Sequence, residues 1–226
     1  MLLWFAHLII AQNELEQNNI LNKRSQARVA ILKKGLDLSK IMKSSKKQYD
    51  AIWIARCEQW KNPEVFLELA AFNPQLRFCM ICSKVDSHEE FFLDVQKKAL
   101  NQKNVTFFDF VKYDEIYILL SKSKVFCITS DYEGDWPMTV LEATATGLPI
   151  LSYKLNYGEL IDSYKAGMYC DGNFFKLVQF LTQIIKNKKV YSKMSYSAFN
   201  YFLKVYSIEK NVDLLLYYLM ELLYST

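Results

Sequence analysis

Three short stretches carry the residues able to do chemistry. In RCEQWK, Arg56 and Lys61 lie five positions apart in a loop, close enough to converge on one anion. In DYEGDWPMTVLEATATGLPI, Asp131, Glu133 and Asp135 crowd a Gly/Pro-containing turn, and Glu142 follows inside an apolar helix. Acids in a turn are solvated; an acid on a helix wedged between β-like runs needs solvent or a partner. Pro137, with fixed φ and no donor, suits the first helical position. The free N–H groups of Met138 and Thr139, with the positive end of the helix dipole, then make an anion site. Gly134 lets a ligand approach the backbone closely. Thr139, Glu142 and Thr146 recur at i, i+3 and i+7 as a polar stripe. That spacing puts Glu142 about a turn and a half beyond a bound phosphate, within reach of the vicinal hydroxyls of an attached ribose. Other readings stay open: Arg56 and Lys61 as ordinary loop charges, Glu142 as an exposed stripe residue or a core acid paired with a lysine, and Trp53, Trp60 and Trp136 as packing residues rather than base-stacking platforms.

The elements that position these residues alternate. Strands are expected at 51–55, 77–82, 105–108, 125–129 and 149–153, and helices at 63–72, 89–98, 114–121 and 137–145. Alternation of this kind builds βαβ units on a mostly parallel sheet, and the near-continuous apolar strands expect cover on both faces. Asn62 is a plausible cap for the helix that Pro63 opens. The loops after the first, third and fourth strands, the third being DFVKYDE, all fall at the carboxyl edge, where open α/β sheets bind ligands. After Gly172 come three helical segments, the last apolar on most of its faces, as if something lay on every side. The first fifty residues make no domain of their own: an apolar run, a polar helix-like segment at 14–21, and a β-like ARVAIL before Gly35.

Composition removes several classes. With 226 residues, 51% of them hydrophobic, the chain buries a sizeable core. A net charge of +4 with no aromatic-interleaved basic stripe argues against nucleic acid as a partner. Lys40, Lys43, Lys46 and Lys47 read as a solvated linker. Cys79 and Cys82 sit in a strand, facing opposite sides, so neither a disulfide framework nor a metal site is expected. The five cysteines suit a reducing cytoplasm. The opening MLLWFAHLII is too short to span a bilayer and lacks a leader's cleavage pattern, so it reads as a core edge. Motifs for P-loops, dinucleotide fingerprints, nucleophile elbows and HExxH zinc sites are absent.

IARCEQWKNPEVFLELA resembles the G-R-x4-K segment of the nucleotide-sugar glycosyltransferases of the GT-B fold, in particular the retaining family 4. NVTFFDFVKYDEI is similar to that family's N-V-x-F-x-G-x-V segment, and ITSDYEG with LEATATGLPILS to its S-x-x-E-G and E-A-x-A-x-G-x-P core. NYGELI and Gly167 fit the stretch beyond. The resemblance implies a Rossmann-like parallel sheet with helices on both faces, the donor-binding half of a two-domain enzyme. It implies that Arg56 and Lys61 hold the donor's diphosphate, Glu142 takes the ribose hydroxyls, Glu133, the catalytic residue, contacts the transferred sugar near the reacting carbon, and the backbone near Val111 holds the base. It further implies a UDP- or GDP-sugar as substrate, no metal and no other cofactor.

The chain departs from the pattern in places. Eight residues separate Glu133 from Glu142 where the family has seven, so the turn bulges at Asp135 and Trp136 or Asp135 shares the first acid's role. Ala55 and Asp109 replace family glycines, and a carboxylate at 109 would repel a diphosphate if it pointed inward. Residues 1–38 resemble only the tail of the acceptor-binding half and the crossing segment, 39–48 a linker, 49–206 the donor domain, and 207–226 a helix that in relatives crosses onto the acceptor half and is therefore expected to be exposed, or covered by the N-terminal segment or a partner chain. Two functions follow: a donor-binding half that needs a separate acceptor chain, or a non-catalytic nucleotide-sugar module, including an inactive truncated enzyme. An unrelated α/β hydrolase or response domain is the third. The expected setting is cytoplasmic or peripheral at the inner membrane face, with self-association through apolar helices as a further expectation.

Overall fold

The structure, a computed structural model, describes residues 4–41, 46–133 and 136–224. Lys43, Gly134 and Asp135 lie outside the described residues. Two compact units form, one of residues 1–38 with 203–226, the other of residues 39–202.

In the smaller unit β1 (Ile9–Ala11) pairs in parallel with β2 (Val29–Ile31), joined by α1 (Glu14–Lys23). Asn13 caps α1: its side-chain oxygen accepts from Glu16 N at 2.9 Å, while the Glu16 carboxylate accepts from Gln12 N at 2.8 Å. The final helix, Ile208–Tyr224, begins where Gly35 comes so close that an added Cβ would lie 3.1 Å from the Ile208 Cα. Arg28 pairs with Glu221 of this helix at 2.8 Å. The helix is not covered on every side, and the exposure expected from the resemblance is what it shows. Asn211 is its buried residue, and Val212, Leu216, Met220 and Leu223 are exposed at helical spacing.

The larger unit is built on six strands: β3 (Tyr49–Arg56), β4 (Phe78–Ser83), β5 (Val105–Phe108), β6 (Ser123–Ile128), β7 (Ile150–Ser152) and β8 (Gly167–Tyr169). All neighbours pair in parallel, in the order β5-β4-β3-β6-β7-β8. The chain therefore winds outward from β3 to β5, returns to lay β6 on the other side of β3, and winds outward again. This is the Rossmann order, with its switch point between β3 and β6. The connecting helices are α2 (Pro63–Phe72), α3 (Glu89–Leu100), α4 (Tyr113–Ser121), α5 (Met138–Ala145) and α6 (Gly158–Asp162), followed by α7 (Phe174–Lys186) and α8 (Lys188–Val205).

Helices cover both faces, so β3 and β4 are buried almost throughout. On one face Trp53 stacks on Phe66 at 6.3 Å and Phe66 meets Phe78 edge-on at 5.5 Å. α2, α3 and α7 close over them through Phe66, Val95 and Leu181. Each such side chain contributes roughly 1.5–3 kcal/mol by leaving water. Asp50 is buried within β3 but satisfied: its oxygens accept from Arg77 N at 2.9 Å and from Lys124 Nζ at 2.8 Å. Gly167 is required by space, since a Cβ there would lie 2.2 Å from the Ile150 carbonyl oxygen. All five cysteines are free and buried. Among the described residues no helix is long and apolar enough to cross a membrane.

Candidate functional site

The loops that leave β3 and β6 meet at the switch point, and five hydrogen bonds tie them to each other and to the core. Trp53 Nε1 in the core donates to Thr129 Oγ1 at 2.8 Å, and Thr129 Oγ1 donates to the Lys61 carbonyl at 2.6 Å. Asn62 Nδ2 donates to the Thr129 carbonyl at 3.1 Å and to Asp131 at 2.8 Å. Asp131 N donates to the Trp60 carbonyl at 2.8 Å. Asn62 stands at the N-cap position of α2 with φ 47°, but its side chain does not cap that helix; it spans the loops instead. Lys154 binds Asp131 at 2.6 Å and, with Asn62, holds that carboxyl below the usual carboxylate range.

This frame brings Lys61 and Glu133 into contact at 2.6 Å, both side chains largely buried. The Lys61 ammonium lies 3.8 Å from the centre of the Trp60 ring, and Tyr132 stacks on Trp60 at 4.6 Å. Trp60 is thus part of the wall of the site, whereas Trp53 is core and Trp136 packs on Tyr157 at 4.8 Å and Tyr201 at 5.6 Å. Arg56, at the end of β3, turns its exposed guanidinium to Glu58 at 3.1 Å rather than to Lys61's partner. Glu58 Oε2 is buried with no hydrogen bond, so this pair has charge proximity without hydrogen-bond alignment.

The helix that follows starts one residue later than its sequence suggests. Met138 is the first residue of α5 and Pro137 is its N-cap, with extended ψ of 139°. The Val140 and Leu141 amides bond back to the Pro137 carbonyl at 3.0 and 3.3 Å, and no side chain caps the helix. Met138 and Thr139 keep the orphan N–H positions of the first turn. Gly134 and Asp135, at the expected bulge, lie outside the described residues.

Glu142 is not an exposed stripe residue. It is buried on the side of α5 that meets α4, and its companions are the hydroxyls of Tyr113 and Tyr117, not a lysine. Burial pushes its carboxyl up to about 7 against the opposing pull of the two hydroxyls. Val111 lies half-buried in the segment between β5 and α4, and Asp109 beside it is exposed.

Sequence reasoning missed Glu58, Tyr113, Tyr117, Thr129 and Tyr157. Only the i, i+4 spacing of the α4 tyrosines offered a signal. The Tyr157 hydroxyl is buried without a partner, close enough to Glu133 that burial and that charge together raise its pKa. Tyr157→Phe should therefore leave stability unchanged or raise it by up to about 1 kcal/mol in urea unfolding, where a satisfied buried hydroxyl would be missed. Among the described residues no cluster of three His, Cys, Asp or Glu side chains is placed to hold a metal ion.

Comparison with known proteins gives consistent matches. The family model described as "Glycosyl transferases group 1" matches residues 37–201. A curated protein of Haemophilus influenzae, described as an uncharacterized glycosyltransferase, is 31% identical over 85 residues, covering 36% of this chain and 24% of that protein. Among solved structures, Anabaena HepE in complex with UDP superposes with a TM-score of 0.80 at 15% identity, over 96% of this chain and 65% of that one. The C-terminal domain of a glycosyl transferase group 1 family protein from Francisella tularensis gives 0.63 at 18% identity, over 77% of this chain and all of that domain. At these identities the likeness shows the fold. The chain spans about a quarter of the curated relative it matches and under two thirds of HepE.

Proposed function

This chain belongs to the glycosyl transferases group 1 family, and from that premise we propose that it binds a nucleotide-sugar donor as one half of a family 4, retaining, metal-independent glycosyltransferase. The observation that carries the reading is the Lys61–Glu133 contact, at 2.6 Å, at the sheet's switch point, in the loop that leads on to the uncapped first turn of α5. HepE, which shares this fold, is described in complex with UDP and with UDP-glucose.

In this reading Arg56, Lys61 and the amides of Met138 and Thr139 hold the diphosphate, with Gly134 and Pro137 shaping the approach. Leaving-group charge is stabilised by these fixed donors, a matter of position and electrostatics. Glu133, or Asp135 sharing its role, contacts the transferred sugar, Glu142 takes the ribose diol and the Val111 backbone the base. The exposed stripe Val212, Leu216, Met220 and Leu223 is the face an acceptor-binding half would cover, in a reaction set at the cytoplasmic side of a membrane. A second reading, nucleotide-sugar binding without transfer, draws support from the engagement of both cations by carboxylates.

Calorimetric titration with UDP- and GDP-sugars tests the shared part. Arg56→Ala should weaken binding roughly tenfold, as loss of a charge-assisted contact. Glu58→Gln should tighten it severalfold, because the guanidinium no longer has a carboxylate to leave. Absence of binding by the unaltered chain to either nucleotide class would sink the proposal. Adding an acceptor-binding half and following sugar transfer separates the two readings.

A further inference from the structure

The loops after β3 and β6 touch twice in succession through their side chains. Lys61 pairs with Glu133 at 2.6 Å, and one residue earlier in each loop Trp60 stacks on Tyr132, with ring centres 4.6 Å apart and planes 15° from parallel. A backbone bond holds the second contact in place: Asp131 N donates to the Trp60 carbonyl at 2.8 Å. Trp60 is half-buried, and the Lys61 ammonium lies 3.8 Å from the centre of its ring. Tyr132 is 59% exposed. Together the rings make a flat aromatic shelf that opens to solvent one residue from Glu133.

Packing accounts for Trp60 but not for Tyr132. The loops are already joined by Thr129 and Asn62, whose bonds to the Lys61 carbonyl, the Thr129 carbonyl and Asp131 involve neither ring. What Tyr132 adds is an accessible π face, whose negative charge attracts partly positive C–H bonds. A pyranose with mostly equatorial hydroxyls presents axial C–H bonds on one face and hydroxyls at its rim, so it fits a shelf bordered by an acceptor. Glu133 is that acceptor once a diphosphate draws Lys61 away from it. The base, assigned above to the Val111 segment after the edge strand β5, leaves this shelf to the sugar. Charge then decides the class of sugar. Lys61 and Lys154 are engaged at 2.6 Å by Glu133 and Asp131, so a sugar carboxylate would gain neither cation and would meet Glu133.

We propose that Tyr132, backed by Trp60, is the platform on which the donor's sugar ring stacks, and that this sugar is a neutral hexopyranose rather than a uronic acid. The inference rests on the donor-site reading and names the sugar class within it. The C–H face of the ring lies on Tyr132, and hydroxyls at its rim donate to Glu133.

Two measurements on the full chain test this. Proton NMR of UDP-glucose, or of GDP-mannose if the chain selects guanine, should show the sugar's ring protons moving upfield on binding, through the aromatic ring current. Tyr132→Ala should abolish that shift, and Tyr132→Phe, which keeps the ring, should retain it. Calorimetry then compares each nucleotide-sugar with its bare diphosphate and with the matching uronate. Tyr132→Ala should weaken the nucleotide-sugar about fivefold and the diphosphate less than about twofold. The uronate should bind the unaltered chain at least about fivefold more weakly than the neutral sugar. Sugar protons that do not shift, or equal weakening of nucleotide-sugar and diphosphate, would overturn the platform and leave the donor reading standing. A uronate bound as tightly as the neutral sugar would overturn the sugar class. Failure of the unaltered chain to bind UDP or GDP would remove the donor reading and the platform together.

Discussion

Lys61→Ala should abolish measurable nucleoside diphosphate binding, a loss of roughly a hundredfold or more, and should cost the fold about 2–3 kcal/mol. Both effects come from one atom. The Lys61 ammonium is held by Glu133 at 2.6 Å and by the Trp60 ring at 3.8 Å, and both charged side chains are nearly out of water. Deleting it leaves the Glu133 carboxylate with its desolvation uncompensated, beside a tyrosine hydroxyl that already lacks a partner. The cost falls below that of a fully buried pair because some solvent reaches both ends. Adding Glu133→Gln to Lys61→Ala removes the stranded charge, so the double variant should recover most of the stability in urea unfolding and none of the nucleotide affinity. The Thr129 hydroxyl donates to the Lys61 backbone carbonyl, which no substitution of the Lys61 or Glu133 side chain removes, so the loop should stay in place. Binding by Lys61→Ala within threefold of the parent chain would shift the diphosphate onto Arg56 and the start of α5.

In the proposed donor site, the pairing of both candidate cations with acids would set how ligands are discriminated. Glu58 pairs with Arg56 and Glu133 with Lys61, so a weak anion would meet cations already engaged. A diphosphate would have to out-compete two carboxylates, and its several oxygens, offered to both cations and to the α5 amides, would let it do so. Specificity would then arise from the opposition of nearby acids as much as from attraction.

The parallel sheet was legible because cover on both faces forces continuous apolar runs. AIWIA and FCMIC have almost no other way to be placed. β1 and β8 were not legible: three residues each, they are strands only because a neighbour lies alongside, and nothing in GMY announces β7. The five-residue α6 escaped for the same reason. At the site, spacing sufficed to bring the loops of Lys61 and Glu133 to one edge. It did not reveal that Asn62 spans those loops, since a residue type suited to capping is equally suited to bridging. Nor did it give the Tyr113–Tyr117 pair, because periodicity defines a helix face without saying what that face meets. The greasy last helix shows the limit of composition, which reports that a surface requires cover but not what provides it; its exposure is expected from the resemblance, in which this helix crosses onto another half.

Glu142→Gln should stabilise the protein at pH 8 and leave it unchanged at pH 4.5, while weakening ribonucleotide binding about tenfold at pH 8. The sign follows from where the proton goes. Burial raises the folded-state carboxyl from 4.5 to about 7, so between those values the folded chain holds a proton that the unfolded chain has released. Stability contributed at this site is therefore full below pH 4.5, declines as the pH rises toward 7, and is gone above it. The gap is on the order of 3 kcal/mol. Glutamine does not ionise, so its unfolding free energy lacks this decline, and the variant and parent curves separate through that window. Urea unfolding at pH 4.5, 6 and 8 reads the separation directly, and parallel curves would remove the desolvated acid from the account. In the proposed donor site, a ribose diol donating to this carboxylate would recover the loss on binding. Restoring ribonucleotide affinity in Glu142→Gln by lowering the pH would contradict this, because the amide offers the same acceptors at every pH.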